Sequence, residues 1–386
     1  MKITRLFYEF FENLKGGVLL IFCTIISLLL ANSSFQESYQ NIWHYSLGGL
    51  SMELWINDGL MAIFFFMIGL ELKRELYVGE LSSLKIALLP VFAAVGGMLI
   101  PAAIYFYLNY GTETQAGAGI PMATDIAFAI GVLSLLGKRV PNSLKIFLTA
   151  VAVIDDLGAI IVIAIFYTTS LSLPHLLIAL GIFGFLLLMN KLKVNFLLLY
   201  IIGGLLMWYF MFQSGVHATI AGVLLAFAIP FGKGERTTLS YRVEDWLHEP
   251  VAYFILPIFA LANTAITFGV GWDTGLIAPG SLGIFAGLII GKPLGVLLFS
   301  FIATALGFCV LPKGMKWKQV IGLGMLAGIG FTMSIFITLL AYQDPTIITE
   351  SKISILLASL ISGTLGFLWL RQSLKTPLIN KLENKL

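Results

Sequence analysis

Apolar runs long enough to cross a bilayer follow one another along this chain from residue 16 to residue 370. A helix needs about 20 apolar residues to traverse the hydrocarbon core. Twelve spans are expected, near 16–32, 58–78, 86–108, 116–136, 143–168, 173–190, 194–212, 215–231, 247–268, 281–308, 319–341 and 351–370. Turn signals such as Asn32-Ser33-Ser34, Gly111-Thr112, Pro141-Asn142 and Asp344-Pro345 separate them. Composition agrees. Charged residues make up 11% of the chain, against about 25% in an average protein, so a soluble fold of this size would lack polar surface. The expected architecture is an all-α polytopic membrane protein, one transmembrane domain over 1–386, with lipid as its exterior. The net charge of +3 is too small to argue for a nucleic-acid partner. Cys23 and Cys309 lie inside apolar runs and read as small hydrophobes, without a disulfide or a metal site.

Basic residues set the orientation, because cytoplasmic loops carry an excess of Lys and Arg. With the N-terminus in the cytoplasm, every Lys and Arg except Lys292 and Lys352 falls on the cytoplasmic side, and only Lys352 falls outside. Both termini are therefore expected in the cytoplasm, with 371–386 as a cytoplasmic tail. No classical cleavable signal peptide is evident. Residues 1–15 place Ile3, Leu6, Phe7, Phe10 and Leu14 on one helical face, which suits a short helix on the membrane surface or, more plainly, a solvated leader. The outer segment 33–57 has no Lys or Arg. Two β-prone runs, Tyr39 to Leu47 and Leu50 to Ile56, flank Gly48-Gly49, which reads either as a hairpin or as a surface loop. A hairpin here would expose an edge to a second copy, making 37–56 the candidate homodimer contact.

Ionisable groups at membrane depth are expensive and are functional candidates by default. Asp125, Asp155, Asp156 and Lys292 each fall near the middle of a span, so they are expected at similar depth. Asp155 and Asp156 are adjacent and point about 100° apart on a helix. Close carboxylates repel, and a low dielectric favours their neutral forms. Such a pair can hold protons or a small hard cation, which oxygen ligands suit. Competition between the two is the minimal chemistry of a cation/proton exchanger. Gly291-Lys292 suggests a phosphate loop, but Ala286 and Pro293 stand where that pattern needs Gly and Ser or Thr. A buried lysine better neutralises a carboxylate, with a purely structural ion pair as the plainer alternative.

Two spans carry breaks. Gly119 and Pro121 interrupt the fourth, just before Thr124 and Asp125, residue types that cap helix N-termini. Gly322, Gly324, Gly328 and Gly330 crowd the eleventh. The broken spans are the middle members of spans three to five and ten to twelve, triplets that enter the membrane from opposite sides. Paired interrupted helices in two inverted repeats point to a central transport site. Asp125 could balance the positive half-helix ends there, and Lys292 the negative ones.

Along essentially its whole length the chain resembles the NhaA family of bacterial sodium/proton antiporters. The motifs are Trp55-Ile56-Asn57-Asp58-Gly59-Leu60-Met61-Ala62, Gly69-Leu70-Glu71-Leu72-Lys73-Arg74-Glu75 and Pro121-Met122-Ala123-Thr124-Asp125-Ile126-Ala127-Phe128. Further matches are Val153-Ile154-Asp155-Asp156-Leu157-Gly158, Ser214-Gly215-Val216-His217-Ala218-Thr219-Ile220-Ala221-Gly222 and Gly328-Ile329-Gly330-Phe331-Thr332-Met333-Ser334. Inverted repeats are a known property of this same family, so the repeat reading and the resemblance are one inference.

The resemblance implies twelve helices, with spans four and eleven unwound and crossing at mid-membrane. It implies electrogenic exchange of Na+, and also Li+, for entering H+ across the inner membrane, rising at alkaline pH, with no resident cofactor and no enzymatic activity. Asp156 would be the principal Na+ carboxylate, Asp155 would pair with Lys292, and Thr124 and Asp125 would flank the site. Glu71, Arg74, Glu75, Glu244 and His248 match the family's pH-response cluster, and His217 joins the pH-response candidates through its own motif. The family often has His where this chain has Asp245, and a Cys where it has Ala327.

Other classes fit less well. An intramembrane aspartyl protease needs its acids on separate helices, one in a Gly-x-Gly-Asp context that this chain lacks. A passive cation channel would not need a proton-competing site. A proton-coupled carrier of another small solute stays open on the residues alone.

Overall fold

The computed structural model describes residues 2–79, 82, 84–167, 171–232, 235, 237–269, 272–312 and 314–374, with side chains from Gly16 onward except at 83–86 and Lys138. The chain is almost wholly helical, as a bilayer requires of any segment that must satisfy its backbone internally. Helix α1 (Lys2–Ala31) is followed by α2 (Gln36–His44), α3 (Met52–Tyr77) and α4 (Leu84–Leu108). The 3-10 segment Glu113–Met122 and α5 (Ile126–Ser134) form the fourth span, and α6 (Asn142–Phe166), α7 (Leu173–Lys191), α8 (Leu197–Ser214) and α9 (Ile220–Ala228) follow. Then come α10 (239–263), α11 (Pro279–Ala305), α12 (Trp317–Ala327), α13 (Phe331–Ala341) and α14 (Pro345–Ser373). Among the described residues, seven helices are long and apolar enough to cross a membrane, or up to ten when each of three bent pairs counts as one span. Exposed Leu177, Leu205, Ile165 and Phe301 belong to a large apolar exterior, which fits lipid and not water.

Several boundaries differ from the sequence expectation. Helix α10 begins at Leu239, eight residues before the expected start, since Thr238 and the polar run to Pro250 form a helix of their own that continues through a π turn at Val251–Ile255. Helix α9 is only nine residues long, because Gly215, in the left-handed region at φ 79°, ends α8, and the turn after it uses up the start of the expected span. Helix α1 runs without interruption through Lys2–Ala31, so the expected surface helix is continuous with the first span. How the side chains of 1–15 sit, like residues 375–386 of the expected cytoplasmic tail, lies outside the described residues.

The outer hairpin is much smaller than expected. Strands β1 (Ser46–Leu47) and β2 (Leu50–Ser51) pair antiparallel with Ser46 opposite Ser51 and Leu47 opposite Leu50. Gly48 and Gly49 turn between them with φ 63° and 88°, a pair of positive values that glycine alone adopts without strain. The flanking runs are helical, as α2 and the start of α3. Apolar residues there follow a helical face against α1, with Tyr39 buried and hydrogen-bonded to Ser27. Two-residue strands leave little free edge for a second copy, so the long hairpin expected over 37–56 is corrected to 46–51.

Helices α4 and α11 cross in close contact. A Cβ on Gly96 would strike the Gly295 carbonyl, and one on Gly295 would strike the Gly96 carbonyl. Two glycines facing each other let the backbones touch, as small residues do between membrane helices. This contact fixes the height of Lys292, less than one turn earlier on α11.

Candidate functional site

The two broken spans meet at their breaks. The 3-10 segment and α5 are bent by 45° to one another, and α12 and α13 by 48°. The backbone N–H of Asp125 donates to the Ile329 carbonyl at 2.7 Å, so each gap satisfies part of the other. Ser334 Oγ donates to the Ile120 carbonyl at 2.7 Å. Asp125 sits at the crossing. Its Oδ1 accepts the Phe128 N–H at 2.9 Å, capping α5. Its Oδ2 accepts the N–H and hydroxyl of Thr332 at 3.2 and 2.5 Å, at the start of α13. One carboxylate therefore serves the positive ends of two half-helices.

Lys292 lies just after the π turn Ala286–Gly291 and is fully buried. Its ammonium donates to Asp155 Oδ2 at 2.7 Å, with both side chains at 0% exposure. It also donates to the carbonyl of Met122, at the end of the 3-10 segment. Thr124 Oγ1 lies 2.8 Å from both Asp155 Oδ2 and the Ala327 carbonyl. Its single proton serves one of them at a time.

Asp156 differs from its neighbour. It is 1% exposed, and neither carboxylate oxygen has a hydrogen-bond partner among the described residues. Asp155 Oδ1 is also without one. Unpaired buried carboxylate oxygens are rare because desolvation without a partner is costly. Three buried acids, Asp125, Asp155 and Asp156, thus share one buried cation, Lys292. The arrangement has acceptor capacity to spare and a negative excess, which is what a small cation or a proton needs. The structure brings Thr124, Asp125, Asp155, Asp156 and Lys292 to this one place.

A second cluster forms where α3 meets α10. Arg74 Nη1 reaches Glu244 Oε1 at 2.6 Å, and Arg74 Nη2 lies 3.5 Å from Glu75 and 3.9 Å from Glu71. Arg74 is 29% exposed on its side chain, so solvent screens this group in part. His248 shares α10 with Glu244 but is exposed and joins none of these ion pairs. His217 is elsewhere. Its ring Nε2 lies 3.0 Å from the Tyr167 carbonyl, beyond the end of α6. Trp208 on α8 donates to the Asp58 carbonyl at the start of α3, placing the α8–α9 turn at the end of α3 opposite Arg74. His217 thus lies apart from the Arg74 ion pairs.

In the sequence Lys73 reads only as a cytoplasmic charge. It is buried and donates to the carbonyls of Ala226, Phe227 and Ile229 at 3.2, 2.8 and 2.6 Å, closing the C-terminal end of α9. A cation at a helix C-terminus meets both the orphan carbonyls and the dipole. Its place just before Arg74 gave no sign of this, since α9 is remote in sequence. The backbone oxygens of Met122 and Ala327 were likewise invisible as site atoms.

A family model described as Na+/H+ antiporter 1 matches residues 9–370. A Flavobacterium johnsoniae protein named Na(+)/H(+) antiporter NhaA 1 is 62% identical over 377 residues, covering 97% of this chain and 99% of that one. Proteins named Na(+)/H(+) antiporter NhaA from Flavobacterium psychrophilum and Cytophaga hutchinsonii are 60% and 56% identical, each over 100% of both chains. The solved sodium proton antiporter MjNhaP1 of Methanocaldococcus jannaschii aligns with a TM-score of 0.52 at 18% identity, over 96% of this chain and 100% of that one, a likeness of fold. With a family match across nearly its whole length and relatives this similar, the chain belongs to the Na+/H+ antiporter 1 family.

Proposed function

We propose that this protein is a secondary antiporter that moves Na+, and also Li+, out of the cell in exchange for H+ entering it, and so serves sodium and pH homeostasis. Asp156 is the carboxylate that binds the ion, and Asp155 joins it when its pair with Lys292 opens. More protons enter than sodium ions leave, so transport is electrogenic, and activity rises toward alkaline pH. The chain crosses the bacterial inner membrane twelve times with both termini in the cytoplasm, as two inverted repeats over spans three to five and ten to twelve. The names of the close relatives support the exchange of Na+ for H+.

One observation carries the reading most directly: a buried Asp156 with both oxygens unpartnered among the described residues, beside an Asp155 already engaged by Lys292 and Thr124. Sodium and proton compete for the same oxygens. Protonation removes the charge that holds sodium, and sodium occupancy removes the lone pairs that hold the proton. Exchange then follows if the empty, charged site cannot cross, since a bare charge in the membrane interior is expensive. The Arg74 cluster supports a role in pH response, with charges of both signs half-buried at one end of the bundle.

The test uses everted membrane vesicles. Sodium should dequench a pH-sensitive probe in wild type. Asn at Asp156 keeps size and hydrogen bonding but has no proton to exchange, so Asp156→Asn should insert normally and show no sodium-dependent signal. Robust sodium-driven proton movement by Asp156→Asn would remove this residue from the central role.

A further inference from the structure

Three tyrosine hydroxyls converge on the backbone of the 3-10 segment. Tyr105 lies near the end of α4, Tyr167 just past α6 and Tyr342 just past α13, and all three are buried. The hydroxyls of Tyr105 and Tyr342 lie 3.0 and 2.8 Å from the Thr114 carbonyl and 2.5 Å from one another, and since each has a single proton, one donates to Thr114 while the other donates to that first hydroxyl. Tyr167 donates to the Ala116 carbonyl at 2.8 Å. Room for these hydroxyls depends on glycine. A Cβ on Gly117 would strike the hydroxyl of Tyr342 and come within 2.6 Å of that of Tyr105. A Cβ on Gly119 would meet the Tyr167 hydroxyl at 2.8 Å, with the next atoms at 3.3 and 3.4 Å.

These bonds tie the segment to α6 at two points. Its far end is held by Tyr167 at Ala116, and its near end by Thr124 at Asp155. Twelve residues of α6 separate Asp155 from Tyr167, about 18 Å at the α-helical rise. Six of the eight steps from Ala116 to Thr124 are 3-10, about 12 Å at that rise against about 9 Å as α-helix, and the last two, through the extended Ala123, add about 3.3 Å each. The 3-10 rise makes the stretch between the two anchors about 3 Å longer than an α-helix would. Met122, whose carbonyl receives Lys292, lies between those anchors.

We propose that Tyr105, Tyr167 and Tyr342 are positioning residues for the ion site, holding residues 114–122 in the stretched register that puts Thr124 on Asp155 and the Met122 carbonyl on Lys292. The inference rests on the antiport reading above and deepens it. Tyr167 acts as the anchor at Ala116, while Tyr105 and Tyr342 back each other up at Thr114.

The experiment measures antiport against sodium concentration in everted vesicles, with the amount of inserted protein determined in parallel. Loss of one hydrogen bond between neutral groups is worth about 0.5–1.5 kcal/mol, so a slackened register should raise the half-maximal sodium concentration about 2- to 10-fold. Tyr167→Phe should do so, with the maximal rate per inserted molecule retained. Tyr105→Phe and Tyr342→Phe should each stay near wild type, because the Thr114 carbonyl keeps one donor, and the double variant should shift like Tyr167→Phe. Gly119→Ala should shift as well, and adding Tyr167→Phe should give no further shift, since the hydroxyl being struck is gone. Half-maximal sodium that is unchanged in Tyr167→Phe and in the double variant overturns the inference, whether or not less protein inserts. So does additive loss in Gly119→Ala/Tyr167→Phe. A wild type without sodium-driven proton movement removes the antiport reading itself, and this inference with it.

Discussion

Removing Lys292 tests the buried pair at the centre of the molecule. The ammonium is 2.7 Å from Asp155 Oδ2, and neither side chain has any exposure, so no water replaces a lost partner without reorganisation. Truncating one member of such a pair leaves the other charge buried, at a cost of about 3–5 kcal/mol. In Lys292→Ala, Asp155 retains only Thr124 as a donor among the described residues, and the Met122 carbonyl loses its ammonium. In an Asp155→Asn background there is no carboxylate left to orphan. The same lysine truncation then removes packing and one charge-assisted hydrogen bond, about 1.5–3 kcal/mol. The difference between the two backgrounds is a coupling of about 2 kcal/mol, or roughly 30-fold in the unfolding equilibrium. The assay is a double-mutant cycle over wild type, Lys292→Ala, Asp155→Asn and the double variant, unfolded by denaturant in detergent micelles. Losses that add to within about 0.5 kcal/mol would refute a direct energetic pair. A coupling of opposite sign would mean that the two groups strain each other in the folded protein.

Further outcomes follow from the same geometry. Because sodium and protons share the carboxylates, antiport measured from pH 6 to 9 should be bell-shaped, with an acidic limb that moves to lower pH as sodium is raised. His248 is exposed and outside the Arg74 ion pairs, so His248→Ala should overlay wild type at every sodium concentration; a limb that shifts in the mutant at saturating sodium would make His248 a sensor. Gly96→Ala should destabilise by about 1–3 kcal/mol, as overpacked cores do, because its Cβ would strike the Gly295 carbonyl. Gly181→Ala, where a Cβ meets nothing within 4 Å, should be neutral or slightly stabilising in the same unfolding assay. The N–H groups of Thr346 and Ile347 hold the Asp344 carboxyl below its usual range. A depressed folded-state pKa stabilises above the unfolded pKa and loses that stabilisation as pH falls through the folded one. The stability difference between wild type and Asp344→Asn should therefore shrink on acidification below about pH 4, and a difference independent of pH would argue against the cap.

Much of this architecture is legible in the chain alone. Rise per residue in a helix is fixed, so the place of Asp125, Asp155, Asp156 and Lys292 within their spans already gives a common depth. Gly119 and Pro121 mark one break and the glycines before Phe331 the other, because Gly and Pro weaken an α-helix locally, though packing decides where it yields, since Pro90 and Pro101 lie inside the unbroken α4. The outer hairpin is the converse case. Tyr39 to Leu47 is β-prone locally, but burial of Tyr39 against Ser27 and α1 decides for helix.

What the chain by itself determined is therefore whatever depends on near neighbours: a helical chain with an apolar exterior, the two interruptions and the residues expensive to bury. What only the tertiary structure decided is partnership. Asp155 and Lys292 are 137 residues apart, and Asp125 and Thr332 are 207 apart. No periodicity reaches that far. Asp155 and Asp156 point about 100° apart on α6, so the packing that aims Asp155 at Lys292 leaves Asp156 without a partner among the described residues. The three tyrosines show the same limit from the other side: each is an ordinary residue at or just past the end of its own helix, and they become a clamp only when three helices bring their hydroxyls to one strip of backbone.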